Sequence, residues 1–119
     1  MAQSLSINAG IANRTTGESL DIQGLAVTTT GDHHQAGRAD VATSVTTITI
    51  SADFANPGYA IFINRDDTNF VKMGTTSGDY GWRLAPGQIA VIPLDNSTSA
   101  VYLIADTATC QVQYLIYER

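Results

Sequence analysis

Residues 58–94, GYAIFINRDDTNFVKMGTTSGDYGWRLAPGQIAVIPL, decide the fold. Apolar residues recur at every second position in short runs, and Gly, Pro, Asn and Asp break the runs at close intervals. That is the rhythm of strands in a sandwich or barrel, not of helices. The breaks have definite turn chemistry. In Asn56-Pro57-Gly58 and Ala85-Pro86-Gly87 the proline fixes the first central φ and the glycine suits a positive second one. In Asn64-Arg65-Asp66-Asp67-Thr68-Asn69 short polar side chains can bond their own backbone, which predicts a hairpin loop.

The same reading extends outward to predicted strands over 20–29, 44–51, 59–64, 70–74, 81–84, 88–94, 100–106 and 109–118. The expected fold is all-β: an antiparallel β-sandwich or jelly roll of about eight strands in a single domain over 1–119, meandering from Tyr59 to the end. Alternation predicts Ile61, Ile63, Val71, Met73, Ile89, Val91, Val101, Leu103, Val112, Tyr114 and Ile116 as inward. Phe62, Ile92, Ile104 and Leu115 occupy intervening positions, so several strands are apolar on both faces, which an isolated two-layer sandwich does not require. Exposed apolar surface of that kind marks association.

The first third of the chain differs. Only Phe54, of the nine aromatic residues, precedes Tyr59, and residues 1–43 are small and polar with scattered glycines. About 1–19 is therefore expected to be an extended N-terminal arm that gains order against the sandwich or a neighbouring copy.

Composition excludes several classes. Charged residues make up 14% of the 119, against roughly 25% in ordinary soluble domains, and Ser and Thr cover the surface instead. A net charge of -5 and a pI near 4.6 supply no basic stripe, so no nucleic-acid partner is expected. No run approaches the length of a membrane span, so no membrane partner is expected either. The start MAQSLSINAG lacks the features of a signal peptide, which gives the expectation of synthesis in a cytoplasm. Cys110 stands alone, so it cannot form an intrachain disulfide, and on a predicted strand it reads as a buried side chain.

No nucleophile elbow, phosphate loop or dinucleotide fingerprint occurs, and the two glutamates lie near opposite ends; the expectation is no enzyme and no cofactor. Asp32-His33-His34 invites a metal, but adjacent residues of an extended chain point to opposite faces; the reading is a solvated loop, with a metal or a pH-sensitive contact shared between subunits as the alternative. Asp66-Asp67-Thr68-Asn69 lacks the alternating calcium-loop pattern and reads as a turn. Tyr80, Trp82 and Arg83 lie among glycines. Aromatic and arginine side chains in that setting serve packing, an interface or stacking on a sugar ring. Tyr80, Trp82, Arg83, His33 and His34 are thus the candidate interface residues, with no catalytic or metal-binding residue assigned.

Phe62-Ile63-Asn64, Asp67-Thr68-Asn69, Val71-Lys72-Met73-Gly74, Leu84-Ala85-Pro86-Gly87 and the closing Gln113-Tyr114-Leu115-Ile116-Tyr117-Glu118 together resemble small virion proteins of tailed phages. The resemblance covers residues 58–118 and not the N-terminal part. It implies a β-sandwich or jelly-roll subunit of the virion, made in the host cytoplasm. The leading role is a capsid decoration or cement protein; the alternatives are neck or tail attachment and a carbohydrate-binding module on a virion appendage. The implied partners are itself, as a homo-oligomer with a trimer favoured, and the major capsid protein or other virion proteins.

Overall fold

In the computed structural model, whose description covers residues 3–12, 17, 19–29 and 33–119, the alternating runs form strands and no described residue is helical. The strands are β1 (Gln3–Ala12), β2 (Ser19–Thr29), β3 (His34–Val41), β4 (Thr46–Thr49), β5 (Pro57–Asn64), β6 (Val71–Gly74), β7 (Trp82–Leu84), β8 (Ile89–Pro93), β9 (Ala100–Ala105) and β10 (Cys110–Glu118). Eight of them make two four-stranded antiparallel sheets, ordered β3-β10-β5-β8 and β4-β9-β6-β7.

Four of the pairings are nested: β3 with β10, β4 with β9, β5 with β8 and β6 with β7. A single long hairpin folded about the β6–β7 turn would have these pairs. Rolling it up adds β10 to β5 and β9 to β6. This is the jelly roll, the second of the two architectures expected. It corrects the meander, because among the eight sandwich strands only β6 and β7 are both consecutive and paired. The turn at 65–70 is accordingly a crossing from one sheet to the other and not a hairpin loop.

The core between the sheets is built from Phe62, Met73, Leu103, Ile116, Val41, Val71, Val101 and Val112, all essentially inaccessible to solvent. Each such side chain contributes on the order of 1.5–3 kcal/mol by leaving water. Val71, Met73, Val101, Leu103, Val112 and Ile116 are inward as expected, and Tyr114 packs against the core. Ile61, Ile63, Ile89 and Val91 are not inward. In β5 and β8 the parity is reversed, with Ala60 and Phe62 fully buried, Ala90 and Ile92 packed against the core, and Ile89 61% exposed.

Asn64 sets that parity. Its fully buried side-chain amide donates to the carbonyls of Asn69 (2.9 Å) and Leu84 (3.0 Å), and its Oδ1 accepts from the Asp66 amide at 3.0 Å. With Asn64 inward, residues 62 and 60 must follow it inward.

Glycines mark two close approaches. A Cβ on Gly74 would collide with the Asp79 carbonyl oxygen, which explains a glycine where the β6–β7 hairpin closes. Gly87 has φ of 75°, as the Pro-Gly turn requires, and Gln88 donates to the Ala85 carbonyl across it at 3.0 Å. Gly58 does not have the positive φ expected of it; it lies in β5 after Pro57, where a Cβ would stand 3.0 Å from the Tyr117 carbonyl oxygen.

The N-terminal strands form a sheet of their own, β1 antiparallel to β2. An arm over about 1–19 is thus one strand of a ribbon that runs on through Thr29, with residues 13–16 and 18 outside the description. The ribbon register sets Leu5 opposite Val27, Ile7 opposite Leu25, Ala9 opposite Ile22 and Ile11 opposite Leu20. Between the second and third of these pairs Asn8 faces both Gln23 and Gly24, a bulge that keeps the apolar pairs in phase along the whole ribbon.

Candidate functional site

The β3-β10-β5-β8 sheet has an unusual outer face. Cross-strand partners lie on the same side of a sheet, so its registers define the rows. One row runs Ala36, Leu115, Ile61, Val91. The next toward the Asn64 end runs Arg38, Gln113, Ile63, Ile89. On the other side comes His34, Tyr117, Tyr59, Pro93. Val91 is 40% exposed and Ile89 61%, while Ile61, Ile63 and Leu115 are half-buried. A shallow groove of about 510 Å3 lies on this sheet, lined by Ile61, Ile63, Leu115, Tyr114, Gln113, Ala36, Gly37 and Arg38. The lining is mostly apolar and lacks the converging polar groups of a small-ligand site.

Two arginine–glutamine pairs fix the rim. Arg38 donates to Gln111 Oε1 and Arg65 to Gln113 Oε1, each at 2.9 Å. An apolar centre bounded by ordered polar side chains is the anatomy of a protein interface. The outer face of the second sheet is different: Lys72 and Arg83 are paired neighbours there, and the Arg83 guanidinium stacks 3.9 Å from the centre of the Phe70 ring. There Lys72 also lies opposite Ile104, so this face mixes cationic and apolar side chains where the first has adjoining rows of aliphatic ones.

At one end of the apolar face the chain is fastened by Glu118. Its side chain is 5% exposed, and it accepts from the Ala55 amide (2.7 Å), the His33 amide (3.1 Å) and the His33 ring Nδ1 (2.7 Å). The Ala55 bond, then the His33 side-chain and backbone bonds, hold this carboxyl down to a pKa of about 2. The start of β3, the loop before β5 and the end of β10 meet at this one carboxylate.

The candidate interface residues do not converge. His33 stacks near Phe54 with ring centres 6.2 Å apart, and His34, opening β3, stands 6.0 Å from the Tyr117 ring. The loop expected at these histidines is thus half strand, and Asp32 lies outside the described residues. Tyr80, Trp82 and Arg83 belong instead to the edge of the other sheet, at β7, while β3 lies beside β4 and β9. Trp82 is 42% exposed and shares a recess of about 160 Å3 with Thr75, Thr76 and Asp79. The Tyr80 hydroxyl is buried without a hydrogen-bond partner. His33 and His34 thus border the apolar face, and the other three do not.

Asp66 caps its own turn. Oδ2 accepts from the Thr68 and Asn69 amides at 2.9 and 2.6 Å, and those bonds, Asn69 first, lower its pKa. Among the described residues no group of three or more His, Cys, Asp or Glu is placed to hold a metal ion. Cys110 is fully buried, and loss of solvent raises its thiol pKa.

Sequence reasoning missed Ile61, Ile63, Ile89 and Val91 as surface residues. The signal was present: β5 is apolar at every position from Tyr59 to Ile63, so one of its two apolar faces had to lie outside. No protein-family model matches the chain, and a search of curated proteins finds no match.

Proposed function

We propose that this chain is a structural component of a bacteriophage particle, a capsid decoration or cement protein that binds and stabilises the capsid as a homo-oligomer, with a trimer favoured. The observation that carries the reading is the outer face of the β3-β10-β5-β8 sheet, where Leu115, Ile61, Val91, Ile63 and Ile89 form adjoining rows. Burying such a face against another protein subunit returns on the order of 25 cal/mol per Å2 of apolar surface. The resemblance to tailed-phage virion proteins spans β5 to β10 and so includes the central strands of both sheets. The role is one of assembly, with no catalytic step.

The test is quantitative mass spectrometry of purified particles. Decoration predicts copies comparable in number to the major capsid protein. A few copies per particle would move the protein to the neck or tail, and its absence from particles would overturn the reading.

A second reading has one observation in its favour. Trp82, 42% exposed beside Asp79, Thr75 and Thr76, has the parts of a sugar-stacking platform on a virion appendage. Glycan-array binding that is lost in Trp82→Ala would favour it over decoration.

A further inference from the structure

We infer that the β1–β2 ribbon of one copy covers the apolar outer face of the β3-β10-β5-β8 sheet of a second copy. The inference rests on the reading of that face as an assembly surface, and names what occupies it.

The ribbon supplies the complementary surface. Its register pairs Leu5 with Val27, Ile7 with Leu25 and Ile11 with Leu20, whereas Ser4 pairs with Thr28 and Gly10 with Asp21. Cross-strand partners share a face, so the register divides the ribbon into one apolar and one polar face. Ser6 and Asn8, on the polar side, are exposed. A two-stranded ribbon has no second layer in which to bury an apolar face and is marginal in water by itself. The bulge at Gln23 and Gly24 holds that face continuous, which an unstructured tail would have no need to do.

The dimensions agree. The apolar pairs from Leu5 to Ile11 extend about 20 Å, enough to cross four strands spaced roughly 4.8 Å apart.

In the single chain the outer face of the β3-β10-β5-β8 sheet stays open, with Ile89 61% and Val91 40% exposed. The radius of gyration is 15.2 Å, above the roughly 13.5 Å of a compact domain of this length. His33 is tied to Glu118 through both its amide and its ring, which anchors the sandwich end of the connection. One chain therefore presents an apolar ribbon and an apolar sheet face that it does not bring together, and a second copy satisfies both. Repeated around a ring, the exchange makes a closed oligomer in which every ribbon and every face is used.

The test uses full-length chains carrying one introduced thiol each. Isotopically labelled Ile61→Cys chains are mixed with unlabelled Leu25→Cys chains and oxidised mildly; Cys110 is buried and does not compete. Disulfide-linked species containing one labelled and one unlabelled chain are expected, with Val27→Cys as a second ribbon position. Moving the ribbon thiol to the polar face in Ser6→Cys should abolish the product. Equal cross-linking from Ser6→Cys, no ribbon-to-sheet cross-link, or a disulfide closing within one chain of the double variant at high dilution would each overturn the proposal. Failure here is distinct from failure of the function: particles that contain the protein without this cross-link refute the ribbon exchange alone, and cross-linked protein absent from particles refutes the decoration role alone.

Discussion

The side-chain amide of Asn64, at the end of β5, donates to the carbonyl of Leu84, at the end of β7, at 3.0 Å, and so fastens one sheet of the jelly roll to the other. The same amide satisfies the Asn69 carbonyl at 2.9 Å. In Asn64→Ala both carbonyls lose their donor in a buried setting, at about 1–3 kcal/mol for each group left unsatisfied. Chemical denaturation should therefore show a loss of about 2–4 kcal/mol. A loss within the range of an ordinary surface substitution would refute the role of this amide as a fastener.

Glu118 gives the fold an acid limit. Its pKa, about 2 in the folded chain against an ordinary 4.5, is depressed, so its contribution is complete above the unfolded value and fades as pH falls from there toward 2. Melting temperature should fall over that window. Glu118→Gln should melt lower at neutral pH and show a flatter slope below pH 4.5. Asp66 and Asp95, whose pKa values are also lowered by hydrogen bonds within their turns, leave a residual slope. An unchanged slope in Glu118→Gln would mean that this carboxylate is not the one being titrated.

Gly74→Ala should be among the most costly single-methyl insertions in the chain. The new Cβ would collide with the Asp79 carbonyl oxygen, so the β6–β7 hairpin has to open. Overpacking against backbone costs roughly 1–3 kcal/mol. A thermal melt within error of the parent would contradict the close approach.

Cys110 should not react with thiol reagents in the folded protein. It is fully buried with a raised pKa, so the thiolate is scarce and shielded. Labelling should appear only on unfolding, with the same denaturant midpoint as the loss of β structure. Rapid labelling of the native chain would place the thiol at the surface.

The all-β class and most strand positions were legible because β5, β6, β9 and β10 are short apolar runs whose bounding turns carry Pro, Gly, Asn and Asp. β3 was not legible: its inward residues Gln35, Gly37 and Ala39 are polar or small, since a Cβ on Gly37 would already lie 3.0 Å from the Tyr114 hydroxyl. The parity of β5 was misread because alternation cannot choose between two apolar faces. The deciding residue, Asn64, looks like a solvated turn residue in the sequence, yet it is buried to satisfy two carbonyls brought there by the fold. The jelly-roll connectivity depends on which strands pair at long range, and local periodicity carries no record of that. For the same reason the apolar surface was foreseen as a property of the strands, while the particular residues that form it were not.

Sedimentation equilibrium of the full chain tests whether the outer face of the β3-β10-β5-β8 sheet is an assembly surface. The parent should sediment as a multiple of 12.6 kDa. A chain carrying Ile89→Asp and Val91→Asp, at the exposed edge of that face, should keep its circular dichroism spectrum and fall to the single-chain mass. A parent that sediments at 12.6 kDa, or a charged variant that keeps the parent's mass, would show that this face does not join copies of the chain.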